Sequence, residues 1–208
     1  SSETRAIVDK FKAEQLPICY CWQPDSTFRA ARARNLAISR VKCSYTIFID
    51  GDCLLTPNFV ENHLNLAKQK KIVAGSRYLF SSEETDRILN NQTYDFTQLQ
   101  SKSAKFSTIP LGIFRDYRPT DWQSVRTCNL SLHTKDVRQI HGFDESYQGW
   151  GREDSDFVVR LIRSGVKVRV GRFATCVGHL YHLESNRTAL ADNENRFHQI
   201  LQQDRNLT

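Results

Sequence analysis

The sequence predicts an α/β fold in a single domain, and three observations predict it. Runs of β-branched and aromatic residues alternate along the chain with stretches of helical periodicity. One such run, "YTIFI", breaks off abruptly into "DGDC". That is the profile of a buried parallel strand delivering carboxylates at its C-terminal end, where open α/β sheets place their ligands. The length, 208 residues, supplies one sizeable core, or two small ones at most.

The elements come in order along the chain. Residues 4–14 carry Ile7, Val8 and Phe11 at helical spacing, and residues 16–22, "LPICYCW", form a short apolar strand candidate. Residues 29–40, "RAARARNLAISR", are rich in good helix formers and hold no breaker. The "YTIFIDGDC" strand comes next, then a helix over 58–70 and a strand over 71–80, "KIVAGSRYLF". Residues 81–122 change character: they are polar, weakly periodic and interrupted by prolines, and read as a partly helical excursion able to fold over a site. "VRTCNLSLHTKDVRQI" resumes as strand and then helix. "GFDESYQGWGREDSDFVVRLIRSG" is a loop feeding an amphipathic helix over 154–163 that Gly165 ends. "VKVRVG" and "ATCVGHLYH" are further strands, and residues 194–203 a terminal helix. There are no internal repeats and no low-complexity tracts.

Composition removes some classes and leaves others open. No apolar run reaches the 18 or so residues of a membrane span, and no signal peptide opens the chain. The net charge of +6 suits anionic partners. The basic residues are scattered, however, with "KQKK" the only tight cluster and no basic stripe interleaved with aromatics, which argues against a nucleic-acid partner. The six cysteines include no C-x-x-C pair, so a zinc ribbon is not expected. Most fall in apolar, strand-like runs, as free buried thiols do, which favours a reducing, cytoplasmic compartment. Four N-x-S/T triplets, at Asn91, Asn129, Asn186 and Asn206, keep a secretory-pathway setting such as the Golgi lumen as the alternative.

Three places carry potential chemistry. Asp50 and Asp52 flank a glycine at a strand end. Together they can bind a divalent cation, with Gly51 allowing a tight turn beside a diphosphate, although D-G-D is also a common turn sequence. His179 and His182 stand three apart after a late strand. They can add nitrogen ligands to the same metal; the alternative for either is an ordinary surface or core histidine. "GWGREDSDF" sets Glu153, Asp154 and Asp156 within four positions. An acidic helix start explains the carboxylates through the helix dipole. It does not explain two glycines around an indole. A sugar pocket explains both: Gly149 and Gly151 let the backbone approach a ligand, Trp150 offers a flat apolar face, and a carboxylate serves as base for an alcohol acceptor.

"ARNLAIS", "YTIFIDGDCLLTPNFV" and "NLSLHTKDVRQIHGFDESYQGWGREDSDFVVRLIRSG" together resemble the nucleotide-sugar glycosyltransferases of the GT-A type. More narrowly they resemble the branch holding bacterial chondroitin polymerase, the β-1,4-galactosyltransferases and the polypeptide N-acetylgalactosaminyltransferases. The resemblance covers roughly residues 28–80 and 124–185 and rests on the G-W-G-x-E-D element with a D-x-D upstream. It implies a Rossmann-like mixed sheet flanked by helices and a metal-dependent, inverting transfer from a nucleotide-sugar, expected to be a UDP-sugar. By this resemblance Asp50 lies near the donor ribose and metal, and Asp52 coordinates Mn²⁺ (or Mg²⁺) at the diphosphate. Arg34 lies near the donor phosphates, and Trp150 and Gly151 belong to the substrate platform. Glu153 helps hold a sugar, and Asp154 is the general base. "VGH" matches one relative's metal site and "YHLES" another's, so His179 and His182 both stand as ligands.

The sequence departs from the family at its start, which resembles the segment just after the family's first strand–helix–strand; the expectation is a sheet lacking those elements. One catalytic region is expected over 1–208. Within it, 1–80 is the donor and metal part, 81–123 the excursion or lid, and 124–208 the acceptor and base part. The implied partners are a nucleotide-sugar donor, a glycan or glycolipid acceptor of a bacterial surface polysaccharide, and peripheral contact with an anionic membrane. The alternative is an inactive, truncated module that binds a sugar or acceptor within a larger glycosyltransferase.

Overall fold

A computed structural model describes residues 2–91, 94, 96, 114–172, 174–183 and 186–203. It contains two small sheets flanked by helices, confirming the mixed α/β class. The helices are α1 (Ser2–Ala13), α2 (Ala30–Ile38), α3 (Phe59–Leu66), α4 (Ser82–Asn91), α5 (Thr134–Gln139), α6 (Glu153–Arg163) and α7 (Leu190–Gln202). The strands are β1 (Tyr45–Ile49), β2 (Cys53–Leu55), β3 (Lys71–Ala74), β4 (Ser76–Leu79), β5 (Asn129–His133), β6 (Lys167–Val170) and β7 (Cys176–His179). One sheet runs β1-β5-β3-β6 and the other β2-β7-β4.

The core lies between the four-stranded sheet and α6. Ile72, Leu130, Leu132 and Val168 from the strands are fully buried with Phe157, Val158 and Leu161 of α6, and Phe143 stacks on Phe157. Burying side chains of this size at ~1.5–3 kcal/mol each is what anchors the first turn of α6. The helix needs that anchor, because Arg152, its N-cap, sits at φ 71 and makes no side-chain cap. A non-glycine residue there is strained and persists only where packing fixes it.

Three sequence expectations change. The "YTIFI" run is a strand, but it is neither parallel nor fully buried: β1 pairs antiparallel with β5, from Tyr45↔His133 to Ile49↔Asn129, and only Phe48 is buried. Alternating helices and strands suggest a crossover to a parallel neighbour, but the strand that packs beside β1 arrives from some 80 residues later. The parallel pairs are β3 with β6 and β4 with β7. Residues 16–22 are irregular, since none of them joins a ladder and Ile18 N–H instead closes on Leu16 O at 2.8 Å. The 71–80 strand divides at Gly75, and its halves enter different sheets. A Cβ at Gly75 would overlap the Asn129 carboxamide, so the chain can turn there only without one.

α4 supplies helix to the 81–122 excursion, while residues 97–113 lie outside the described set. Of the cysteines only Cys128 and Cys176 are buried; all six are free thiols, and Cys19 and Cys43 are exposed. Asn129, one of the four glycosylation triplets, is 2% exposed and committed to the β5 network. Among the described residues no helix is long and apolar enough to cross a membrane.

Candidate functional site

The predicted residues converge at the ends of β1, β2 and β7 and at the start of α6. The antiparallel pairing of β2 with β7 sets Cys53 opposite His179, which brings Asp52 beside the late histidines. Asp52 Oδ2 lies 3.5 Å from His179 Nε2 and 3.3 Å from His182 Nε2. The three ligand atoms lie within 4.8 Å of one another. In each histidine Nδ1 is 2.8–2.9 Å from a backbone carbonyl, Leu180 O for His179 and Leu183 O for His182. A carbonyl can only accept, so each Nδ1 carries a proton, and Nε2 is the ring atom that faces Asp52. One carboxylate and two so-oriented imidazoles fit a borderline divalent cation such as Mn²⁺ better than Mg²⁺, which prefers all-oxygen shells. The sequence left the choice of histidine open, and the fold brings both.

Arg34, on α2, occupies the centre of the acidic cluster. Its Nη2 is 3.2 Å from Asp50 Oδ1, and its Nη1 is 3.3 Å from both Glu153 Oε1 and Asp154 Oδ1. The guanidinium also lies over the Phe143 ring, 5.4 Å from its centroid. Burial opposes its charge, but Asp154, Asp50 and Glu153 outweigh that and hold its pKa above the ordinary value. Arg34 therefore joins Asp50, two residues from Asp52, to the carboxylates at the start of α6.

Those carboxylates take different roles. Asp156 is fully buried and paired with Arg160 at 2.7 Å, so it belongs to the core. Asp154 Oδ2 accepts from Thr127 N–H at 3.1 Å, and its Oδ1 from the Thr127 hydroxyl at 2.6 Å. Glu153 has a raised pKa because burial and the neighbouring Asp154 charge outweigh Arg34. Thr127 is a residue that sequence reasoning missed, since a lone threonine ahead of a strand carries no signal until the fold sets it against α6.

The glycines and the tryptophan read differently in three dimensions. Gly149 and Gly151 have φ of 74° and 114°, and a Cβ on them would meet Ala189 and Leu190 at 2.5 and 2.8 Å. Packing against the start of α7 thus accounts for both, and Gly151 is buried. Trp150 is 37% exposed, with the Arg187 guanidinium 4.8 Å from its ring centroid. Gly51 sits in open space without a positive φ, so nothing in the protein itself requires glycine there.

One edge of the α/β scaffold thus gathers a carboxylate–imidazole triad whose spacing could hold a cation and, beside it, a guanidinium-braced acidic pair. Comparison with known proteins fixes the family: residues 1–122 match the family model for "Glycosyl transferase family 2", and the chain belongs to that family. Residues 114–186 match a second model, described as "N-terminal domain of galactosyltransferase". The chain is 26% identical over 185 residues to a validoxylamine A glucosyltransferase of Streptomyces hygroscopicus, covering 81% of this chain and 43% of that protein. It is 26% identical over 230 residues to a chondroitin synthase of Escherichia coli, covering 95% and 31%. With a hyaluronan synthase of Pasteurella multocida the identity is 22%, covering 79% and 19%. The chain thus spans less than half the length of these curated relatives. Among solved structures, GalNAc-T7 with UDP, GalNAc and Mn²⁺ superposes with a TM-score of 0.56 over 88% of this chain and 36% of that one, at 12% identity, which establishes the shared GT-A fold.

Proposed function

We propose that this chain is the catalytic region of an inverting, metal-dependent glycosyltransferase that moves a sugar from a UDP-sugar to a glycan hydroxyl. The observation that carries the reading is the Arg34 bridge. One guanidinium spans from Asp50, beside the Asp52–His179–His182 triad, to Asp154 and Glu153, so a site for a diphosphate and a site for a base lie a side chain apart. Asp52, His179 and His182 would hold Mn²⁺, which supplies charge neutralisation at the departing diphosphate. Asp154 accepts the proton of the acceptor hydroxyl as its oxygen bonds to the anomeric carbon, and the diphosphate leaves with the electron pair of the broken bond. Thr127 and Arg34 hold the carboxylate for that task, and a carboxylate's four or so lone-pair sites leave room for the acceptor. Asp50 stands on the donor side of Arg34. Gly151 shapes the loop that presents Trp150 as the substrate platform.

The bacterial relatives support a polysaccharide or glycolipid acceptor, with work beside an anionic membrane from the cytoplasm, for which a net charge of +6 is favourable. Thermal shift tests the core of the reading. Mn²⁺ and UDP together should raise the melting temperature more than either alone, and Asp52→Ala should abolish the difference. His179→Ala and His182→Ala should each reduce it. If Asp52→Ala leaves the shift intact, "DGD" is a turn and the metal assignment falls. Binding without turnover on any acceptor would instead favour a non-catalytic sugar-binding module.

A further inference from the structure

A cavity of about 400 Å³ is lined, among others, by Arg77, Arg118, Arg126, Arg172, Cys128 and Asp121. Asp121 is the only carboxylate among the described residues that line it, and it is already engaged: its Oδ1 accepts from Ser124 N–H, and its Oδ2 lies 3.6 Å from Arg118. Arg77, Arg118 and Arg126 thus line one concave space in which Asp121 is the single carboxylate among the described residues. Exposed arginines on a convex surface are commonly just solvated. Here Arg77, Arg118 and Arg126 line one hollow, where a shared anion would offset their like charges.

Parts of the lining are held in place. Arg126 Nη1 is fixed by the carbonyls of Gln123 and Val125, both at 2.7 Å. Arg115 Nη1 donates to the carbonyls of Val170 and Arg172, which ties down the strand end carrying Arg172. Arg77 lies on β4, opposite Val177 of β7 and two residues before the Leu79↔His179 pair. Arg126 and Cys128 bracket Thr127, whose hydroxyl and amide hold Asp154. The cavity therefore adjoins the segment whose Thr127 holds Asp154.

We propose that this cavity is a subsite for an anionic group on the acceptor, a uronate carboxylate or a sugar phosphate, read by Arg77, Arg118 and Arg126. A guanidinium pairs with planar carboxylates and with phosphates through two parallel hydrogen bonds, whereas a neutral hydroxyl gives it no such partner. The position adjoining the segment that holds Asp154 means that the charge lies on the acceptor near the reacting hydroxyl. The inference rests on the transferase reading for the word "acceptor", but the anion site stands on its own geometry.

Isothermal titration calorimetry tests it on the whole chain with three probes. These are a tetrasaccharide alternating a uronate with an N-acetylhexosamine, its carboxyl-reduced counterpart, and glucose 6-phosphate. At least one anionic probe should bind about tenfold or more tightly than the neutral one, with affinity falling as salt rises. Which anion binds identifies the source. The double variant Arg77→Gln/Arg126→Gln should lose that preference while its melting temperature holds, and Arg118→Gln should weaken it separately. The proposal is overturned if the carboxyl-reduced probe binds as well as the acidic ones, if neither anion binds at millimolar concentration, or if the variants bind unchanged. UDP with Mn²⁺, titrated on the same samples, separates the two readings: its failure with the anion preference intact removes the transferase reading and leaves the anion site.

Discussion

Asp154 accepts two hydrogen bonds from Thr127 and one from Arg34, and its neighbour Glu153 shares the same guanidinium. Asp154→Asn keeps the size but cannot take the acceptor's proton. Its amide would also set a donor against Arg34 or Thr127. Turnover with UDP-sugar should fall by roughly 10²- to 10⁴-fold, the range for a positioned general base, with UDP–Mn²⁺ affinity unchanged. Glu153→Gln should raise KM instead, the mark of a lost positioning contact. If Asp154→Asn turns over at the wild-type rate while Glu153→Gln does not, Glu153 is the base. The raised pKa of Glu153 adds a stability readout. A carboxyl that binds its proton more tightly when folded than when unfolded destabilises the fold above its folded pKa. That penalty disappears as pH falls below the ordinary carboxylate range. Glu153→Gln should therefore melt higher than wild type at neutral pH and show no advantage near pH 3.

At the scale of elements, α3 is fastened to β5 by a histidine. His63 is fully buried, its Nδ1 2.7 Å from Ser131 Oγ and its Nε2 3.0 Å from Asn129 Oδ1. Burial drives its pKa from 6.5 down to about 4, against the smaller opposite pull of the Asn129 bond. It is held neutral in the fold while the unfolded chain protonates it, so its contribution is complete above pH 6.5 and is lost as pH falls toward 4. The slope is about 1.4 kcal/mol per pH unit inside that window. Denaturant unfolding at pH 7 and pH 5 should show wild type losing more stability than His63→Gln, which keeps a hydrogen-bonding group without titrating. Equal losses would mean that His63 is protonated in the folded state. The loop before α6 offers a second comparison. Gly151→Ala should destabilise by roughly 1–3 kcal/mol, through φ and the clash with Leu190. Gly51→Ala, with open space and no positive φ, should stay within about 0.5 kcal/mol, so any loss of activity it causes would come from the ligand side.

Across the whole molecule, every strand pairing described joins the first 80 residues to the region after 124: β1 and β3 with β5, β3 with β6, and β2 and β4 with β7. The two stretches interleave in both sheets. Neither can bury its strand faces without the other. Fragments 1–96 and 114–208, expressed separately, should each lack a cooperative melt, and a mixture should recover UDP–Mn²⁺ binding only on reassociation. A cooperative transition in either fragment alone would show that the sheets are less interdependent than their pairing implies.

The sequence by itself determined the class, the order of most elements and the polar residues with chemical potential. Periodicity, an abrupt acid–glycine stop after "YTIFI", and the spacing of "GWGRED" are local properties that a linear reading can detect. It misplaced the direction of β1 and the strand at 16–22, because strand partners are chosen by packing at long range. It also could not see which acidic residue enters the core: Asp154 and Asp156 are two positions apart, but the turn of α6 sends one to Thr127 and the other to Arg160. Only tertiary structure joined Asp52 to both histidines, set Arg34 among three carboxylates and gathered four arginines around one cavity. Most of those contacts span many dozens of residues, and their free energy depends on distances of a few ångströms that no sequence interval encodes.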